Sequence, residues 1–114
     1  MKFFATEPEQ GVFNFTGGQI AVDIAKDHGK YLRCHNLVWN SQLSDWVING
    51  TWTAETLTAV MENHIKTLIT HFQDVCYAWD VINEAIFSNG SFSPSIWVSI
   101  FPTFQSCCEW ESSY

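Results

Sequence analysis

Positive charge is scarce in this chain. Five basic residues, Lys2, Lys26, Lys30, Arg33 and Lys66, stand against twelve acids, and they are scattered. Phosphate backbones are neutralised by clustered Lys and Arg, so the composition excludes a nucleic-acid partner. Long apolar runs are also missing. No stretch approaches the roughly 20 residues of a membrane-spanning helix, so no membrane partner is expected. The opening "MKFFATEPEQ" holds one Lys and a short apolar patch before acids and a proline intervene, which is too little for a secretion signal. The four cysteines, Cys34, Cys76, Cys107 and Cys108, include no C-x-x-C pair of the kind that zinc sites use. Three pairings exist if all are bridged. The expectation is free, mostly buried thiols, because free Cys behaves as a small hydrophobe.

What is present suits one small globular domain. The 114 residues are 46% hydrophobic and 16% aromatic, which excludes a disordered acidic tail. Residues 1 to 15 read as the end of a strand followed by a loop. Thr16 and Gln19 have capping-box spacing. The run "IAVDIAKDH" then sets Ile20, Ile24, Ala21 and Ala25 near one face of a helix that Gly29 ends. "YLRCHNLV" reads as a strand, and residues 39 to 52 as a loop. "AETLTAVMENHIKTLITHF" carries Leu57, Val60, Met61, Ile65, Leu68, Ile69 and Phe72 at helical steps, with Glu55 favourably in the first turn. Residues 75 to 82 are nearly all apolar, as in a strand covered on both faces. Ser93 and Pro94 then resemble a helix start, which Pro102 cuts short. No repeat or linker is visible, and residues 98 to 114 match no motif.

The order strand, helix, strand, helix, strand predicts an α/β fold with parallel strands. In such sheets the reactive groups gather at the carboxyl ends of strands. His35 and Asn36 lie towards one such end. Asn83 and Glu84 close "YAWDVINEA" at the next, so the charge that interrupts an apolar run belongs to the mouth of a site. His64 and His71, seven apart, could share a helix face, but no third ligand stands at metal-binding spacing.

Three blocks, "ATEPEQGVFNF", "HNLVWNSQLSDWV" and "WDVINEA", resemble the family 10 glycoside hydrolases, the endo-β-1,4-xylanases, in order and spacing. The resemblance covers residues 1 to 97 and leaves 98 to 114 as an unmatched tail. It implies part of a (β/α)8 TIM barrel, roughly its second to fourth strands, with the start of the barrel missing because Met1-Lys2 falls within the second-strand motif. The reaction it implies is retaining hydrolysis of internal β-1,4 bonds in xylan, without cofactor or metal. Glu84 is then the acid/base, expected to be partly desolvated beside Trp79 and Val81. Asn83 matches the residue that hydrogen-bonds the sugar 2-hydroxyl, while His35, Trp39, Gln42 and Lys2 match residues that contact substrate. Trp46 reads as packing.

Departures accompany the match. Asn40 stands where the family has a histidine, Ser44 where it has proline, and Cys34 where it has glycine. The Thr-Glu block that carries the nucleophile is absent, so little or no catalysis is expected of the chain alone. A related β-1,4-glucanase and a non-catalytic carbohydrate-binding remnant are the alternatives. Cys34 and Cys76 are expected to be unpaired, being offset by about 10 Å along neighbouring strands. Three N-x-[S/T] triplets begin at Asn14, Asn49 and Asn89 and point weakly to a secreted parent.

Overall fold

The computed structural model describes residues 1–100. Its elements run α1 (Phe3–Thr6), α2 (Thr16–Asp27), β1 (Leu32–Trp39), α3 (Asp45–Ile48), α4 (Ala54–Phe72), β2 (Cys76–Asn83) and α5 (Ile96–Ile100). The tail with Pro102, Cys107 and Cys108 lies outside the described residues, apart from 98 to 100.

The long helix α4 spans the predicted residues. Its start is fixed by Thr53, whose hydroxyl accepts from Thr56 N–H while Thr56 reciprocates at the Thr53 N–H. Leu57, Val60, His64, Leu68 and Phe72 form its buried stripe. Leu57, Val60 and Leu68 share one core with Leu37 and Val38 of β1, which Phe3, Leu43, Val47 and Trp97 close. Burying a Leu or Val side chain contributes roughly 1.5–3 kcal/mol, so this cluster carries the fold.

Helix α2 forms over the predicted segment, but its buried side is Gly18 and Val22, while Ile20 and Ile24 are exposed. The reason is a close approach. A Cβ on Gly18 would lie 2.6 Å from the Phe72 ring, so only glycine lets α2 settle onto the end of α4. The proposed Thr16–Gln19 box does not form. Thr16 N–H is capped by Asn14 Oδ1 instead, and Gln19 turns outward to donate to Asp23. Gly29, at φ 59°, ends the helix as expected.

Strands β1 and β2 pair in parallel, with Leu32 opposite Cys76, Cys34 opposite Trp79, His35 opposite Asp80 and Trp39 opposite Asn83. The predicted third strand, at the chain start, is absent from the described residues. Short helix α1 follows Lys2 there, closed by Glu7 N–H donating to Phe3 O. The loop predicted for residues 39 to 52 contains α3. The reading of β2 as covered on both faces fails among the described residues, where Tyr77 and Val81 on one face and Ile82 on the other stay exposed. Helix α5 begins after Ser95, whose hydroxyl accepts from Val98 N–H, and not at Ser93–Pro94.

Cys34 and Cys76 form a disulfide, with Cα atoms 5.6 Å apart, which overturns the free-thiol expectation for this pair. The offset argument failed on register. The ladder is irregular between Leu32 and Arg33, where β2 carries the extra residue Tyr77, so counting residues along two regular strands does not give the separation of the two cysteines.

Candidate active site at the strand ends

The carboxyl ends of β1 and β2 bring together most of the predicted residues. Trp39 and Asn83 are register partners. Trp39 Nε1–H donates to Glu84 Oε2 at 2.7 Å. The Lys2 ammonium lies 5.2 Å from the centroid of the Trp39 ring, within reach of its negative face. The His35 ring meets Trp39 edge-on at 5.9 Å. Lys2, His35, Trp39, Asn83 and Glu84 thus form one continuous patch around the indole. The Trp97 N–H donates to the Trp39 carbonyl at 2.8 Å, holding the tryptophan from behind.

Gln42 is tied to the chain start through its backbone, whose carbonyl accepts from Phe4 N–H at 3.1 Å. Its side chain is exposed. Gln42 (φ 53°) and Glu84 (φ 52°) are the two non-glycine residues held at positive φ among the described residues. A left-handed backbone costs an L-residue about 1–2 kcal/mol, so both are retained against a local preference for glycine.

Glu84 departs from expectation in one respect. It is exposed, as is Val81, so the apolar surroundings foreseen for it are replaced by a single directed contact from Trp39. An indole N–H only donates, so Oε2 is committed as acceptor and any proton on this carboxyl resides on Oε1.

Two residues that the fold places beside His35, namely Arg33 and Asp80, were missed. Asp80 Oδ2 lies 3.0 Å from His35 Nδ1, and Asp80 Oδ1 accepts from Arg33 Nε at 2.7 Å and from its terminal nitrogen. Hydrogen bonds from Arg33 and then His35 hold the Asp80 carboxyl below its usual range, and Asp80 in turn raises the Arg33 guanidinium. Since an ionised carboxylate only accepts, His35 Nδ1 is the donor in this pair. The available signal was an aspartate in mid-strand, opposite a histidine in a parallel pairing.

Behind the site, Glu7 is a buried anchor. Its carboxylate accepts from Gly11 N–H at 2.9 Å and pairs with His64 Nδ1 at 2.8 Å, while its carbonyl accepts from Ser44 and Trp46. This fixes the loop that bears Gln42 and confirms Trp46 as packing. Asn40 donates to Ser93, tying β1 to the segment after Glu84. His71 stacks on Phe15 at 3.7 Å, well apart from His64 in its contacts.

Comparison with known proteins identifies the family and the fold. The description Glycosyl hydrolase family 10 matches residues 1–103. The chain belongs to glycosyl hydrolase family 10. Among family 10 relatives, endo-1,4-beta-xylanase 1 of Humicola insolens is 46% identical over 102 residues, which is 90% of this chain and 24% of that protein. The crystal structure of a family 10 xylanase from Bispora sp. MEY-1 with xylobiose superposes with a TM-score of 0.85 at 51% identity, over 93% of this chain and 33% of that one. Native xylanase 10B from Thermotoga maritima gives a TM-score of 0.85 at 36% identity, over the same shares. The chain spans about a quarter of the length of the curated relatives it matches.

Proposed function

We propose that this chain supplies the proton-donor half of an endo-β-1,4-xylanase site. In this reading β1 and β2 are the third and fourth strands of a (β/α)8 barrel, and Met1-Lys2 ends the second. The convergence of Lys2, Trp39 and Glu84 at adjoining strand ends carries the reading. Glu84 Oε1 delivers its proton to the leaving glycosidic oxygen and later accepts one from water. Trp39 holds Glu84 in place and offers its indole face to a sugar ring. Asn83 binds the 2-hydroxyl, His35 contacts a neighbouring hydroxyl, and Lys2 and Gln42 flank them. The Cys34–Cys76 bridge supports an oxidising, extracellular setting for the enzyme.

Retaining hydrolysis needs a second carboxylate about 5–5.5 Å from the first. Asp80 is already engaged by Arg33 and His35, so it does not serve. The chain by itself therefore binds xylo-oligosaccharides without cleaving them. The test is calorimetric titration with xylotetraose beside product analysis on the same sample. Binding that Trp39→Ala weakens at least tenfold, with no shortened product, supports the reading. Cleavage that persists in Glu84→Gln would overturn it, as would cello-oligosaccharides binding more tightly than xylo-oligosaccharides.

A further inference from the structure

We propose that Asn89 carries an N-linked glycan. The three triplets, at Asn14, Asn49 and Asn89, all match the acceptor pattern, and the fold separates them. Asn89 stands at the tip of a short hairpin over residues 85 to 93, which leaves β2 directly after Glu84. Ser93 N–H donates to Ala85 O and Phe87 N–H to Ser91 O, both at 2.8 Å, and Ile86 bridges to Phe92. Every residue from 86 to 91 is exposed. Asn89 Oδ1 accepts from Ser91 N–H at 3.0 Å and from the Ser91 hydroxyl at 2.7 Å. The carbonyl oxygen of the amide is thus occupied by the triplet's own Ser91. The amide nitrogen, which takes the sugar, donates to no group among the described residues.

The other two triplets differ. Asn14 Oδ1 accepts only the Thr16 N–H, and Phe15 between them is half-buried, stacked on His71. Asn49 follows α3, and the Gly50 beside it lies under the Trp52 ring, where a Cβ would come within 2.5 Å of the indole. Phe15 packing at the first triplet and the Trp52 ring beside Gly50 at the second therefore crowd these two sites. Among the described residues nothing packs around Asn89, and a glycan there covers Ile86 and Phe87, which are 55% and 50% exposed.

The donor is a lipid-diphosphate-linked oligosaccharide. Asn89 Nδ2 attacks the anomeric carbon, a C–N bond forms as the C–O bond to phosphate breaks, Nδ2 gives up one proton, and the lipid diphosphate leaves. No oxidation or reduction occurs. The inference relies on the secretory setting proposed above only for access to this donor, so the test supplies that access.

The chain is expressed in yeast behind a cleavable secretion leader. Peptide-N-glycosidase in heavy-oxygen water then converts each glycosylated Asn to labelled Asp, which peptide mass analysis locates. The expected result is label at Asn89, lost in Ser91→Ala and retained in Ser91→Thr. Reading the same peptide from the membrane fraction covers a variant that folds too poorly to leave the cell. An unlabelled Asn89, label that survives Ser91→Ala, or label at Asn49 with Asn89 bare would each overturn the proposal. Since the leader is supplied, none of these results bears on the xylanase reading or on where the parent enzyme resides.

Discussion

Breaking the Cys34–Cys76 bridge should strongly destabilise the fold while leaving intact every side chain proposed to contact sugar. The bridge closes a loop with a sequence separation of 42, which contains α3, α4 and most of the core. In the chain-entropy model, closing such a loop in the unfolded state is worth about 4 kcal/mol at 25 °C. A domain has only about 5–15 kcal/mol in total, so this term rivals the whole. The strands it joins have one ladder between them among the described residues, and no further strand shares the load. The double variant Cys34→Ala/Cys76→Ala should therefore lose about 4 kcal/mol in urea unfolding followed by circular dichroism. Its melting temperature should fall by roughly 15–25 °C. The urea m-value should rise, because the unbridged chain exposes more surface on unfolding. Adding a reductant to the parent chain should reproduce all three changes. A loss below about 1 kcal/mol, or alkylation of both thiols in the unreduced unfolded protein, would refute the reasoning.

Other outcomes follow from the site and its support. Glu7→Leu leaves buried His64 without its partner and should cost about 3–5 kcal/mol, whereas Glu7→Gln, which keeps an acceptor, should cost less than half of that in the same urea assay. Gln42→Gly releases a left-handed backbone and should be neutral to stabilising by up to about 1 kcal/mol, while weakening xylo-oligosaccharide binding; a clear destabilisation would contradict the strain argument. Asp80 has a folded-state pKa below its unfolded one. Its pairing therefore stabilises the fold above the ordinary aspartate range, and the contribution is lost as pH falls through the folded value. Arg33→Gln should move the Asp80 titration upward in carboxyl-detected NMR, and an unchanged midpoint would show that Arg33 is not the cause. Asp80→Asn should release the His35 ring from its fixed tautomer, visible as a change in its nitrogen shifts, with a weaker oligosaccharide affinity.

Features governed by near neighbours were legible in the residues. Helix α4 follows from its three- and four-residue apolar steps and Thr53 cap, and β1 and β2 were located to within a residue or two at each end. Gly29 ended α2 because only a residue tolerant of φ 59° fits there. The family motifs named Lys2, His35, Trp39, Asn83 and Glu84, which the fold gathers around one indole ring.

What escaped depends on partners far along the chain. Which face of α2 is buried was decided by Phe72, more than fifty residues away from Gly18, since a bare backbone packs closer than an isoleucine side chain allows. The same holds for Asp80 with His35 and Glu7 with His64, separated by 45 and 57 residues. The disulfide turned on the irregular start of the β1–β2 ladder, which residue counting along regular strands does not reveal. Exposure of β2 was invisible because an apolar strand reads alike whether or not a neighbour lies beside it. Sequence alone determined α2, α4, β1, β2 and the chemistry of the side chains at the strand ends. Only the tertiary structure decided which of those side chains meet, because hydrogen bonds, bridges and burial act across distances that local periodicity does not encode.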